Sequence, residues 1–358
     1  MRLASYFETD GFAFVIRSKT FLIKYWASFY GLLNEFLLLI ESLVGLYLNM
    51  VMIRSLFAAL SLMIAGSFCV ANESRSDLGM WAWKQAHFDR PESRVTMFDF
   101  CEREGITHID QHVSIRNGAI ANADAFRQLI IEAAERGITV NALRGDKKMF
   151  FAENHTRTMS AIEAIVASIQ TLPEGAKLLG IKFDVEPYLT AEWKAGGESR
   201  KTVMFDYLSF LDEARVYLNA EAPELELAVD VPFWWDKAEH ELRYEGSTKR
   251  FVYHIQDRVD WVGIMSYRRD PGTTALLVAD EIKYAADQSM FRSVAPTMET
   301  SKLSGKEAHI SFGGVPATEF RAALDSLRIR YAGNLQVRCI MLHHYGSLSS
   351  YLKGLFCA

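Results

Sequence analysis

Two carboxylates stand two residues apart in Phe183-Asp184-Val185-Glu186-Pro187-Tyr188, where an apolar run ends. Residues at i and i+2 of a strand share a face, and an apolar strand has no structural use for two acids on one face. Like charges held that close do not both ionise cheaply, so one carboxyl is expected to carry a raised pKa, which suits a proton donor near neutral pH. A third acid, Glu299, ends the run Pro296-Thr297-Met298-Glu299, and Asp230 precedes Val231-Pro232-Phe233-Trp234-Trp235. Trp234, Trp235, Trp81, Trp83 and Tyr267 supply aromatic faces of the kind that stack on sugar rings. Carboxylates among aromatics point to hydrolysis of a glycosidic bond, with Asp230 and these aromatics expected to bind substrate.

Other groups can act at such a site. His108-Ile109-Asp110-Gln111-His112 puts Asp110 and His112 on one face, where they can position substrate, and Arg144 can pair with a catalytic carboxylate or an anionic sugar. His344 belongs with these binding groups. Together with Asp184, Glu186 and the pair His343-His344, Asp110 and His112 can also assemble a metal site, which would make the chain a metal-dependent phosphoesterase or amidohydrolase.

Positioning these residues requires a scaffold that gathers strand ends. Short apolar runs at 78–83, 107–113, 138–144, 178–186, 225–231, 260–267, 293–299 and 337–344 alternate with amphipathic stretches at 92–104, 122–136, 156–170, 200–220, 248–257, 274–289, 316–330 and 348–356. Phe126, Leu129, Ile130 and Ala133 fall at helical spacing before Gly137, and Glu104-Gly105 repeats that stop. Eight such units in residues 72–358 predict an α/β fold, a single (β/α)8 TIM barrel, whose usual length is ~250 residues. An open doubly wound sheet is the alternative, but no Gly-x-Gly-x-x-Gly turn follows the first run. In a barrel the C-terminal strand ends form the active site, which is where all three acids fall.

Asp184-x-Glu186 on the fourth strand, with Met265-Ser266-Tyr267 on the sixth, resembles the chitinase-like glycoside hydrolases. That family ends its fourth strand in Asp-x-Asp-x-Glu and carries Met-x-Tyr-Asp on its sixth. The resemblance implies that Glu186 is the general acid/base, that Asp184 orients a substrate N-acetyl group acting as internal nucleophile, and that Tyr267 helps hold it. Lys182 replaces the earlier Asp of the run, and Arg268 follows Tyr267 where the family has Asp. Glu186-Pro187 with Glu299 on the seventh strand is similar to the retaining β-glycosidases, with Val185 in place of their Asn; this resemblance implies Glu299 as nucleophile. Both agree on Glu186, and Asp184 and Glu299 stay open as its partner. A double displacement needs carboxyls ~5–5.5 Å apart and an inverting reaction ~6.5–9.5 Å, whereas the substrate-assisted route needs no enzyme nucleophile. A carbohydrate-binding barrel without turnover is the non-enzymatic alternative.

The 358 residues carry 39 Lys+Arg against 44 Asp+Glu, with 12% aromatics, which excludes a disordered chain and a basic nucleic-acid binder. Residues 1–71 form a separate hydrophobic segment. Met52-Ile53-Arg54, the run 55–68 and Cys69-Val70-Ala71 read as a secretory signal peptide, with the upstream part a start-site artefact, or else the segment is retained as a membrane anchor. The expectation is therefore an exported protein, periplasmic or extracellular, meeting the membrane only through a retained anchor. Its partner is a poly- or oligosaccharide, no cofactor is required, and no nucleotide motif or nucleophile elbow occurs. In an oxidising compartment Cys101 and Cys357 can form a disulfide, while Cys339 reads as core.

Overall fold

A computed structural model describes residues 75–353 of the chain, so the signal or anchor segment and Cys357 lie outside the described residues. Twelve strands occur within this range: β1 (Leu78–Ala82), β2 (Ile106–His112), β3 (Ile115–Arg116), β4 (Ala119–Ile120), β5 (Thr139–Gly145), β6 (Gly180–Asp184), β7 (Glu226–Pro232), β8 (Glu241–Tyr244), β9 (Ser247–Arg250), β10 (Trp261–Met265), β11 (Val294–Glu299) and β12 (Ile340–His343). Eight of them close into a parallel barrel in the order β1-β12-β11-β10-β7-β6-β5-β2, and β3-β4 and β8-β9 form two small hairpins outside it. The eight barrel strands are the eight expected apolar runs.

The outer layer comprises α1 (Pro91–Glu104), α2 (Ala123–Glu135), α3 (His155–Ile169), α4 (Ala191–Lys194), α5 (Gly197–Glu221), α6 (Phe251–Gln256), α7 (Pro271–Leu276), α8 (Ala279–Asp287), α9 (Ala317–Arg330) and α10 (Tyr345–Lys353). Two expected helices need correction. Residues 247–250 belong to a hairpin rather than to a helix starting at 248, because Glu245 and Gly246 both adopt positive φ, 47° and 82°, the two-residue turn that matches strand twist. The stretch expected as one helix over 274–289 is two, since Val278 leaves helical geometry at φ −116° and ψ 3°.

Barrel strands are buried on both faces. Phe183 of β6 points outward, where it meets Phe150 and the α5 residue Phe210 at ring separations of 5.1 and 5.8 Å. Its neighbours Lys182 and Asp184 point inward by the period of two. The apolar part of the barrel interior is Trp81, Leu143, Ala228, Trp261, Ala295, Cys339 and Met341. Cys101 is buried in α1 and has no disulfide partner among the described residues, while Cys339 is core, as expected.

Candidate active site

The interior has two polar layers. The lower one is centred on Lys182, which is 0% exposed. Its Nζ donates to Asp110 Oδ2 at 2.7 Å and lies 2.9 Å from Asp230 Oδ1. The ammonium also sits 4.3 Å from the ring centroids of both Trp81 and Trp261, so indole faces supply the rest of its surroundings. Trp81 Nε1 donates to Asp230 Oδ2 at 2.9 Å, while Asp110 Oδ1 is met by His108 Nε2 at 2.8 Å and Asn141 Nδ2 at 3.0 Å. A buried charge survives only when paired and hydrogen-bonded, and this cluster satisfies that condition. Burial opposes the charges, yet Lys182 and His108 hold Asp110 well below the usual carboxylate range, and the two aspartates raise Lys182. The strand partner of Asp230 is Gly263, where a Cβ would fall 2.1 Å from Asp230 Oδ1, so only glycine leaves room for the pair.

Above this layer lies the mouth. Asp184, half-buried, pairs in register with Asp230 across β6 and β7, and Glu186 follows two residues later. Burial first, then the Asp230 and Glu186 carboxylates, push the Asp184 pKa well above its ordinary value. The raised carboxyl that the acid pair requires is thus Asp184. The Tyr188 hydroxyl donates to Glu186 Oε1, and the Tyr188 ring meets Trp234 edge-on at 5.2 Å. Across the mouth Tyr267 faces the acids: burial, Glu299, Asp184, Asp230 and Glu186 together hold its phenol well above the usual range.

Glu299 occupies a different environment. Its side chain is 6% exposed, with Oε1 accepting from the Ser301 N–H at 2.6 Å and Oε2 2.7 Å from His343 Nδ1. Trp83 Nε1 donates to His343 Nε2 at 3.0 Å. An indole N–H can only donate, so Nε2 must accept and the His343 proton sits on Nδ1, aimed at Glu299. Although burial works against the charge, these donors hold Glu299 below its ordinary pKa. The Trp83 ring lies over Gly145, where a Cβ would come within 3.2 Å of it and 2.8 Å of the Asp184 carbonyl oxygen.

No family model matches the chain, and none of the curated proteins does. Among solved structures the chain is similar to a chitinase from Bacteroides thetaiotaomicron at 13% identity, covering 76% of this chain and 91% of that one with a TM-score of 0.47. It is similar to the spore cortex-lytic enzyme SleL of Bacillus cereus at 12% identity, covering 76% and 71% with a TM-score of 0.46. It is also similar to a calcium-binding mutant of Bacteroides uniformis β-glucuronidase 2 at 10% identity, covering 75% of this chain and 30% of that one with a TM-score of 0.52. The likeness is one of fold.

Of the residues nominated from sequence, the structure brings Asp184, Glu186, Tyr267, Trp83 and Trp234 to the mouth. Others lie elsewhere. Trp235 is 0% exposed and packs between Trp193 and Phe251 in the outer layer, a core residue rather than a sugar platform. Trp81, Asp110 and Asp230 are buried around Lys182, so their contacts are internal rather than with substrate. Arg144 spends a guanidinium N–H on the Val113 carbonyl at 2.6 Å and pairs with no mouth carboxylate. His112 stands beside Trp83 at 6.0 Å between rings, with burial and Arg144 lowering its pKa to about 4. His344 accepts from the Gly346 N–H and shapes the turn into α10, whereas His343 is the histidine that reaches the acids. The alternative metal set does not converge: among the described residues no three His, Cys, Asp or Glu side chains are placed to hold an ion.

The sequence assigns no role to Lys182, His108 and Tyr188, and it offers His343 only as a member of the alternative metal set. A period-of-two reading would have flagged Lys182 and His108, which share inward faces with Asp184 and Asp110. Nothing local marks His343 over His344, because that choice follows from strand register.

Proposed function

We propose that this chain is an exported glycoside hydrolase acting on a cell-envelope or extracellular polysaccharide, with Glu186 as proton donor and Asp184 as its partner. The observation that carries the reading is the acid pair at the C-terminal end of β6, open at the barrel mouth with Tyr267 opposite and Tyr188 on Glu186. The closure of Glu299 by His343 and Ser301 argues against its use as a nucleophile and favours a route that needs none. In that route Glu186 gives its proton to the glycosidic oxygen as the C1–O bond breaks, and the oxygen of a 2-acetamido group closes on C1. Asp184 holds the amide N–H side of that group. Water then attacks C1 as the bond from C1 to the acetamido oxygen breaks, which restores the acetamido group, and the water gives a proton to Glu186, so the enzyme is regenerated. The half-buried Trp83 and Trp234 border the path of the chain and offer faces to sugar rings. The export assignment rests on the apolar run that precedes the barrel.

The test is mass spectrometry of products from a panel of polysaccharides, including acetamido glycans, incubated with the full chain and with Glu186→Gln, each with and without chelator. Oligosaccharides from the wild type alone, indifferent to chelator, are the expected result. Binding without products from either protein would overturn the hydrolase reading in favour of a binding barrel, and chelator-sensitive release would favour a metal enzyme.

A further inference from the structure

Asp184 and Asp230 are paired in register on adjacent strands and both project into the barrel, yet their surroundings are unequal. Asp230 is 1% exposed and has the Lys182 ammonium at 2.9 Å on Oδ1 and the Trp81 indole N–H at 2.9 Å on Oδ2. Asp184 has neither: the Oδ1 atoms of both aspartates are buried without a hydrogen bond, but only that of Asp230 has an ammonium against it. Two neighbouring carboxyls in a poorly solvated space share a proton rather than both ionising, and donors decide which one keeps the charge.

We propose that Asp230 is a positioning residue for the reacting pair: pinned as the anion by Lys182 and Trp81, it obliges Asp184 beside it to hold a proton and so to act as a hydrogen-bond donor at the mouth. The inference rests on the reading of Asp184 and Glu186 as the reacting pair. It deepens that reading by saying in which protonation state Asp184 meets substrate. A neutral Asp184 donates from its hydroxyl to Glu186 or a substrate oxygen while its carbonyl oxygen can still accept from the acetamido N–H, whereas an ionised one can only accept.

The other groups facing Asp184 fit this arrangement. Glu186 beyond it on the same chain segment and Asp110 on β2 are acidic and disfavour a second negative charge, and Lys182 below it is already shared between Asp110 and Asp230. Tyr188, Tyr267 and the buried α5 residue Tyr207 are neutral phenols. From β5 the register partner of Asp184 is Gly145, which brings no charge. Lys182 is therefore the one cation of this group, hydrogen-bonded to Asp110 and ion-paired with Asp230; burial lifts the Asp230 pKa to about 6 against the pull of Lys182, which leaves it mostly the anion at pH 7.

Carboxyl-carbon NMR of the full chain labelled at aspartate, titrated between acid and alkaline pH, tests this without requiring turnover. The Asp184 signal is identified by its loss in Asp184→Asn. The expected result is an Asp184 still protonated at pH 7 in the wild type, and a midpoint lower by about one pH unit or more in Asp230→Asn, since removing one neighbouring charge shifts a buried acid by that order. An Asp184 that ionises in the ordinary carboxylate range, or whose midpoint stays put in a folded Asp230→Asn, overturns the proposal. If Asp230→Asn does not fold, Trp81→Phe takes its place: it removes the N–H from Asp230 Oδ2, and an Asp184 midpoint that does not fall in that variant overturns the proposal. Failure here separates cleanly from failure of the hydrolase reading. A protein that releases no sugar while Asp184 titrates as described loses only the proposed reaction, and one that hydrolyses glycan with an ordinary Asp184 loses only this assignment.

Discussion

Glu299 of β11 and His343 of β12 are register partners across the barrel wall, with His343 Nδ1 2.7 Å from Glu299 Oε2. The pairing turns an acid at a strand end into the anchor of a histidine. A Glu299→Ala chain should therefore lose about 1–3 kcal/mol of stability, the usual cost of stranding a buried donor. Its turnover should fall less than that of Glu186→Gln. Denaturant melts and initial rates check both, and a loss as deep as that of Glu186→Gln with rescue by azide would instead mark Glu299 as a nucleophile.

Glu186→Gln removes the proton donor while keeping shape and the contact from Tyr188. General acid catalysis contributes roughly 10²–10⁴-fold, so product release should fall by that factor. The melting temperature should stay close to that of the wild type, because Glu186 is half-buried rather than enclosed. Rate measurement beside a thermal melt separates lost chemistry from lost fold.

Lys182→Met leaves Asp110 and Asp230 buried without their shared cation. Breaking a buried ion pair from one side costs about 3–5 kcal/mol. Urea unfolding should show that loss, and the triple change Lys182→Met with Asp110→Asn and Asp230→Asn should recover part of it. A single variant as stable as the wild type would mean that the cluster contributes no net pairing energy.

Glu281 of α8 is 0% exposed and neither of its carboxyl oxygens has a hydrogen-bond partner. Burial, with Asp236 and Asp280 adding to it, raises its pKa from 4.5 to about 8. Because the folded value lies above the unfolded one, the folded chain binds this proton more tightly. The contribution is full below about 4.5 and is lost as pH rises through about 8. Glu281→Gln should accordingly flatten the fall in stability between those limits, by on the order of a few kcal/mol. Chemical denaturation at pH 5 and pH 8 reads this out, and equal slopes in the two proteins would contradict it.

Much of the scaffold was legible because its signals are local. All eight barrel strands are short apolar runs bounded by helix periodicity, and the acids at 184, 186 and 299 were recognisable by their place at strand ends. The helix expected from 248 was misplaced because the turn at Glu245-Gly246 is set by backbone φ, a property that the neighbouring polar residues do not announce.

What the sequence determined by itself is the alternation that sends Lys182 and Asp184 inward and Phe183 outward, and hence the barrel and the acid pair at its mouth. Which charges meet is settled by contacts between strands. Asp110, Lys182 and Asp230 are separated by 72 and 48 positions along the chain, and their contact exists because β2, β6 and β7 curve round one interior at compatible register. The same closure seals Glu299 behind His343 and leaves Glu186 open, since burial and pairing depend on neighbours across strands rather than along one.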